Sequence, residues 1–464
     1  MALVESFSGI RGIWGKDLTE SVAVRYAYAY HTFLKEKLGK SNPLIVIGMD
    51  TRPSGVQISD SILGVLDCNF IDVGIAPTPV VEFAVRHFNA DGGIIITASH
   101  NEPYWNGFKF LNNEGAVLSE NEMNIVIRNY GSFRNFHKLQ DRKILERNNE
   151  AIEKYTESIF DIVGMENIEL IKKSGQKIVL DPNGGTGIIA KRLLEQAGVK
   201  VFGVNMASGD FKRTVEPTED SMIYLKSVID ENKADFAAGF DCDADRVEIL
   251  TSSGHLLSGN NILALVVDEV LSGIKNPRGK VIVVNDATSN AVREVAERYG
   301  AKIKEVEVGE TNVVQEMDKF KAIAGGEGSS GGVILPPSKC RDGILTLLMV
   351  LSIIAKKEKP LDEIVKELPQ YYTLKQKIEF EKPRHDSIKK SLKDYYSKKG
   401  FEIRENGGIK GSLKVITGKK SFVWFRASKT EGNIFRIMAD SNNEEEAQKL
   451  MKEALDAFNK ANEK

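Results

Sequence analysis

Three times along the chain a short run rich in Val and Ile is followed by an amphipathic stretch and another such run. That rhythm confines the fold to layers of strands and helices. The first series is LIVIGMD (44–50), a helical stretch to about Cys68, FIDVG (70–74), a helix near VVEFAVRHF (80–88) and GGIIIT (92–97). The second runs through KIVLD (177–181), the helix IIAKRLLEQAG (188–198), KVFGVN (200–205) and DFAAGF (235–240). The third runs through KVIVVND (280–286), the helix NAVREVAERYG (290–300), AKIKEVEV (301–308) and AIAGGE (322–327). Apolar runs of this length, bounded by turn residues, read as buried strands. Strands separated by helices imply parallel βαβ units with helices on both faces. The repetition is one of rhythm; no residue-level repeat accompanies it.

The last hundred residues read differently. IRENGGIKGSLKVITGKKSFVWFRAS (403–428) predicts hairpin-like strands, and EEEAQKLMKEALDAFNKA (444–461) predicts a helix, together a small α+β domain. The lysine-rich SIKKSLKDYYSKKG (387–400) has the composition of a solvated helix. At 464 residues the chain exceeds what one hydrophobic core serves. We expect four domains: 1–150, 151–253, 254–369 and 370–464. The fold class is α/β, with three tandem α/β domains containing mixed sheets and a C-terminal α+β domain.

Bulk chemistry narrows the function. Hydrophobic residues make up 42% and charged residues 28%, an ordinary globular balance. The formal charge of -2 provides no basic field for nucleic acid, so anion binding must be local. Cys68, Cys242 and Cys340 are odd in number and scattered, as in free thiols of a reducing compartment, and the six histidines lack metal-ligand spacing. The first twenty residues do not read as a secretory signal, and no apolar stretch is long enough to span a bilayer. The expectation is a soluble, cytoplasmic protein with no membrane or nucleic-acid partner; a homo-oligomer stays open.

The sharpest local signal is GFDCDADRV (239–247). Asp241, Asp243 and Asp245 alternate just past an apolar strand, so a curled loop can turn all three carboxylates toward one point. Together they repel, and a hard divalent cation is the natural neutraliser. Oxygen-only ligands favour magnesium or manganese over zinc. A calcium EF-hand also begins D-x-D-x-D, but Arg246 stands where that loop needs Gly and Ser252 where it needs Glu. A solvated acidic turn is the blander alternative. Arg246 beside the cation suits a clamp on a phosphoryl group.

TASHNEPYWNGFKF (97–110) places Ser99 at the carboxyl end of a strand, where open α/β sheets put their ligands. A serine hydroxyl needs activation, and the hydrolase nucleophile elbow is absent because Gly flanks Ser99 on neither required side. His100 is its neighbour in sequence, and Lys109, further along the loop, could act as acid, base or charge stabiliser. Alone, such a turn is more often structural than catalytic.

GGEGSSGG (325–332) again ends an apolar strand; its glycines admit a ligand, and Glu327 suits paired sugar hydroxyls. No Walker lysine follows, so it is no nucleotide P-loop. DPNGGTG (181–187) reads as a strand-to-helix turn. In RASKTEGNIFR (426–436), Arg426, Ser428, Lys429 and Thr430 could form an anion nest, although a surface turn explains the same residues. Arg11, in SGIRG (8–12), is another candidate phosphoryl contact.

Taken in order, SGIRG, TASHNEPYWNGFK, DCDADR, GGEGSSGG with CRDG (340–343), and RASKTEG resemble the motif series of the α-D-phosphohexomutase family. That family contains phosphoglucomutases, phosphomannomutases and phosphoglucosamine mutases, and the resemblance runs along essentially the whole chain. It implies four domains around a central cleft and an isomerase that interconverts hexose 1- and 6-phosphates, of glucose and/or mannose, through a 1,6-bisphosphate, with phosphoglucosamine mutase as the alternative within the family. Ser99 would carry the phosphoryl group and, together with Asp241, Asp243 and Asp245, hold magnesium. Arg11 and Lys109 would assist proton transfer, with His100 and Arg246 beside them. Glu327 and Ser329 would read sugar hydroxyls; Arg426, Ser428, Lys429 and Thr430 would grip the non-reacting phosphate. The partner is a small sugar phosphate, and the activator glucose 1,6-bisphosphate or an equivalent.

Departures from the pattern are local. Lys429 stands where the common phosphate loop has Gly, no proline follows Glu431, and the sugar loop carries glycines where some members have histidine, as in archaeal members. Two rival readings remain: a phosphatase using Asp241 as nucleophile, since DxD after a strand also marks haloacid dehalogenases, and a non-catalytic sugar-phosphate sensor. The first leaves the other loops without roles; the intact serine and acidic triad weigh against the second.

Overall fold

The computed structural model describes residues 3–6, 9–132, 142–408, 411–428 and 433–463. They fall into two compact units: Met1–Ser258 with Ser330–Ile364, and Gly259–Ser329 with Val365–Lys464. The first unit contains a seven-stranded and a four-stranded sheet. In order across the larger one lie Val4–Ser6, Gly9–Ile13, Trp105–Leu111, Gly92–Ile96, Leu44–Met49, Asn69–Ile75 and Ile144–Glu146.

Leu44–Met49 runs parallel to both Asn69–Ile75 and Gly92–Ile96, as the strand–helix rhythm demands. Both its faces are covered. Ile45, Ile47, Phe70, Ile94 and Ile96 share a core with Tyr26, Tyr30 and Phe33 of the helix Glu20–Leu38 and Ile58 and Ile62 of the helix Ser54–Val65. On the other face a Cβ at Gly48 would meet Val81 of the helix Thr78–His87 at 2.6 Å and Val73 at 2.9 Å. Glycine at 48 is what lets that helix approach.

Past Ile96 the structure corrects the sequence reading. Lys109 is not on a loop but on the strand Trp105–Leu111, which turns back antiparallel to Gly92–Ile96. The connection, residues 97–104, is too short for the helix a parallel crossover requires, so the chain reverses. SGIRG likewise contributes the strand Gly9–Ile13, antiparallel to Trp105–Leu111.

The same device recurs in the smaller sheet. Its order is Val247–Thr251, Phe236–Phe240, Lys177–Asp181 and Lys200–Gly203. Phe236–Phe240 lies parallel to Lys177–Asp181, whereas Val247–Thr251 returns antiparallel after the short link 241–246. Both chemistry-bearing loops are therefore tight reversals at the carboxyl end of a parallel strand, and both sheets are mixed. The helix Gly343–Lys357 is buried on every side from Gly343 to Ala355, with Asp342 capping its start by accepting from the Leu345 N–H at 2.9 Å.

In the second unit three parallel strands lie in the order Lys302–Val306, Val281–Asn285 and Ala324–Gly326. A separate antiparallel sheet of five strands has the order Tyr372–Glu379, Ile434–Ser441, Ser421–Ala427, Ser412–Gly418 and Glu402–Asn406. Helices His385–Lys398 and Glu444–Glu463 pack on it through Ile388, Leu392, Met451 and Phe458. Three α/β sheets and a C-terminal sheet with two helices make up the architecture. Among the described residues no helix is long and apolar enough to cross a membrane.

Candidate active site

The loop 241–246, the metal loop of the family resemblance, begins where Phe236–Phe240 ends, and it curls because Ala244, between two of the aspartates, takes a left-handed conformation at φ 53°. Asp241, Asp243 and Asp245 are fully buried, and one oxygen from each lies within 4.8 Å of the others. The curl is packed from behind. A Cβ at residue 343 would meet the Arg246 carbonyl carbon at 2.8 Å and the Ala244 oxygen at 2.9 Å, so only Gly343 admits the CRDG turn.

Positive groups surround the triad. Lys109 Nζ donates to Asp243 Oδ2 at 2.8 Å, to Asp245 Oδ2 at 3.1 Å and to Thr78 Oγ1 at 3.3 Å. Strand alternation places it there, since Lys109 is registered opposite Ile95 on the strand leading to the serine loop. Thr78, at the start of the helix Thr78–His87, donates its hydroxyl to Asp243 Oδ2 at 2.7 Å, and its N–H to the Asp243 carbonyl at 2.9 Å. The positive end of that helix thus faces Asp243. Arg341 Nη2 donates to Asp245 Oδ2 at 3.2 Å, and Arg246 Nε lies 3.7 Å from Asp245 and 3.9 Å from Asp241.

These neighbours split the ionisation of the carboxylates. Burial pushes the Asp241 carboxyl well up, and the charges on Asp245 and Asp243 push the same way. For Asp245 burial opposes ionisation too, but Arg341, Lys109 and Arg246 outweigh it and hold the group below the usual carboxylate range. Asp243 Oδ1 and Asp245 Oδ1 have no hydrogen-bond donor among the described residues, although both are buried. Two carboxylate oxygens without a hydrogen bond, beside a third aspartate, are a donor set that fits a hard divalent cation. The triad could hold one.

Ser99 brings the second loop to this point. It is 1% exposed, sits at φ 52°, and directs Oγ to Asp241 Oδ2 at 3.5 Å. Its N–H donates to Thr97 Oγ1 at 2.8 Å. Arg11, on the strand Gly9–Ile13, donates to Asn101 Oδ1 at 3.0 Å; burial, then the Arg246 charge, lower its guanidinium to about 10. His100 is held neutral, first by the Arg246 charge and then by burial and Arg11. Ser99, Lys109, Arg246 and the three aspartates therefore meet in one contact network, with Arg11 hydrogen-bonded to the serine loop.

The remaining candidates lie in the second unit. Glu327, buried just past Ala324–Gly326, accepts from Asn285 Nδ2 at 2.9 Å and the Gly309 N–H at 2.8 Å through Oε1. Arg426, on Ser421–Ala427, reaches Glu307 Oε1 at 3.3 Å. Both thus anchor on the segment 307–309. Ser329 is exposed; Ser428 is buried, its N–H bonded to the Ile434 carbonyl at 2.8 Å. Lys429 and Thr430 lie outside the described residues.

Sequence reading missed Thr78, and it quoted Arg341 within CRDG without giving it a role. A Pro-Thr-Pro helix start was the signal available for Thr78. It also passed over Asp50 and Arg52, although that pair, like Ser99 and the triad, follows directly on a buried parallel strand.

The chain is similar to known proteins along nearly its whole length. Residues 5–134, 153–254 and 258–372 match, in turn, alpha/beta/alpha domains I, II and III of the family described as phosphoglucomutase/phosphomannomutase. A phosphoglucomutase/phosphomannomutase of Thermococcus kodakarensis is 37% identical over 462 residues, covering 96% of this chain and 98% of the relative. A phosphoglucosamine/phosphogalactosamine mutase of Sulfurisphaera tokodaii is 30% identical, covering 96% of each. Among solved structures, a phosphoglucomutase/phosphomannomutase family protein of Burkholderia thailandensis shares the fold with a TM-score of 0.83 at 21% identity, covering 99% and 98% of the two chains.

Proposed function

Because the chain belongs to the phosphoglucomutase/phosphomannomutase family, the α-D-phosphohexomutases, we propose that it interconverts hexose 1-phosphate and hexose 6-phosphate, with glucose, mannose or both as the sugar, through phosphorylated Ser99. The reading is carried by one observation: a buried serine hydroxyl 3.5 Å from a carboxylate of a three-aspartate cluster. Magnesium is the cation proposed for that cluster, and glucose 1,6-bisphosphate or an equivalent the activator.

In the first half-reaction the free hydroxyl of the sugar phosphate attacks the phosphorus on Ser99. The new P–O bond forms as the bond to Ser99 Oγ breaks, giving a hexose 1,6-bisphosphate. The sugar then reorients, and Ser99 Oγ attacks its other phosphate, restoring the phosphoserine and freeing the isomer. Such transfers need in-line positioning and stabilised equatorial oxygens more than covalent help. A cation bound on the triad would act as Lewis acid toward those oxygens. Lys109 and Arg246 add fixed positive charge at the same place. Arg11, lowered only to about 10, keeps its proton at neutral pH and donates to the serine loop through Asn101, adding positive charge beside it. The proton lost by the attacking hydroxyl ends on Ser99 Oγ as that oxygen leaves. His100, held neutral, adds no charge beside the loop.

For the second unit, the family resemblance assigns Glu327 and Ser329 to sugar hydroxyls. It assigns Arg426, Ser428, Lys429 and Thr430 to the phosphate that does not react. Relatives that are phosphoglucosamine mutases support one alternative, glucosamine phosphate as substrate. Purified protein should carry one added phosphate by intact mass, and Ser99→Ala should lose both it and turnover. Side-by-side kinetics on glucose, mannose and glucosamine 1-phosphates then rank the sugars. A fully active Ser99→Ala protein overturns the reading.

A further inference from the structure

Ser99 holds a left-handed backbone conformation at φ 52° without being glycine, which is strained for an L residue unless its surroundings enforce it. Its N–H is held by Thr97 Oγ1, and its carbonyl is held by Arg52. This side chain is completely buried, and Nη2 donates to the Ser99 carbonyl at 2.8 Å and also to the Asn101 carbonyl. One guanidinium nitrogen thus grips both ends of the turn that presents the serine.

A buried guanidinium needs a counter-charge, and Asp50, equally buried, supplies it through a salt bridge to Nη1. Asp50 Oδ1 also accepts the Arg52 N–H at 2.9 Å, so the acid sets the arginine's backbone as well as its head group. Asp50 is itself tied to the adjacent strand, its N–H donating to the Ile96 carbonyl at 3.0 Å, immediately before the serine loop begins. Between the two, Thr51 Oγ1 lies 3.7 Å from Cys242 Sγ, inside the metal loop. Three consecutive residues, Asp50 to Arg52, therefore touch the serine loop and the metal loop together.

We propose that Asp50 and Arg52 are positioning residues for phosphoryl transfer: they clamp the carbonyls of Ser99 and Asn101, and so aim Ser99 Oγ at Asp241. Neither touches the reacting atoms; both act through the backbone of Ser99. The inference rests on Ser99 being the phosphoryl carrier. A serine released from the clamp samples ordinary backbone angles, which swing Oγ away from the aspartates. The chemical step then slows while substrate binding elsewhere is unchanged.

The experiment compares wild type, Arg52→Lys and the double variant Asp50→Leu/Arg52→Met. Lysine keeps the charge but has a single nitrogen, unable to serve Asp50 and two carbonyls in a fork. The double variant removes both charges together, leaving neither buried alone, so it guards against simple misfolding. Readouts are thermal midpoint, kcat and KM with glucose 1-phosphate, and phosphate retained on the protein over time by intact mass. We expect kcat to fall about 100-fold in both variants with KM within threefold, and phosphate to be lost faster than from wild type. Folded variants with wild-type kcat and phosphate retention overturn the clamp, as does a rise in KM alone. Failure of the underlying reading looks different: wild type then carries no phosphate on Ser99, or Ser99→Ala stays active.

Discussion

Lys109 Nζ lies 2.8 Å from Asp243 Oδ2, tying the strand that leaves the serine loop to the loop that holds the aspartates. Both side chains are almost wholly buried, so the contact is only weakly screened. The ammonium neutralises part of a cluster that would otherwise repel itself, and it occupies ground that a divalent cation on the triad would also use.

Replacing Lys109 separates those two effects. Lys109→Met should bind a divalent cation about tenfold more tightly, because the competing ammonium is gone. The same change should lower kcat by about 100- to 1,000-fold, because a charge on the transferring group is gone. Calorimetric titration with manganese and steady-state kinetics check the two arms, and weaker cation binding would show that the lysine organises the aspartates instead.

Asp241 is penalised by burial and by its two neighbours, which predicts a trade between stability and function. Asp241→Asn should raise the thermal midpoint of the cation-free protein, by on the order of 1–3 kcal/mol in stability. Added magnesium should raise the wild-type midpoint further, and Asp241→Asn should abolish that rise. Differential scanning calorimetry with and without magnesium reads both outcomes.

Thr78 supplies Asp243 with a hydroxyl donor at 2.7 Å and a helix start. Thr78→Val keeps the shape and removes the donor, leaving the carboxylate short of one bond. A loss of about 1–2 kcal/mol in stability is expected, with kcat reduced roughly tenfold. Thr78→Ser, which restores the hydroxyl, should recover most of both.

Burial raises the Asp342 carboxyl to about 6, against the donors from the Leu345 N–H and Tyr155 hydroxyl that favour its charge. The unfolded group titrates near 4. Between about pH 4 and pH 6 the folded protein therefore holds more protons than the unfolded chain, and this residue makes stability fall as pH rises through that window. Asp342→Asn, which keeps a side-chain acceptor at the cap, should flatten the slope, gaining up to about 2–3 kcal/mol relative to wild type above pH 6.5 and little at pH 4.5. Denaturant midpoints across that range test it, and an unchanged slope would assign the pH dependence elsewhere.

The layered α/β plan was legible in the chain because buried parallel strands are short, apolar and spaced by helices. LIVIGM, GGIII, KIVLD and FAAGF all occur as strands where their patterns predicted them. The triad was legible too, since alternate aspartates in a short link have few other ways to point. Lys109 was misplaced on a loop because FKF carries one charge within an apolar run, and only the antiparallel return shows that its alternation is inward. Local pattern reports which face of an element is buried. It does not report what comes to meet that face from far along the chain. Thr78 on Asp243, Arg341 on Asp245 and Arg52 on the Ser99 carbonyl join residues 165, 96 and 47 positions apart. No periodicity encodes such separations; they exist because separate strands end side by side and their loops share one buried volume.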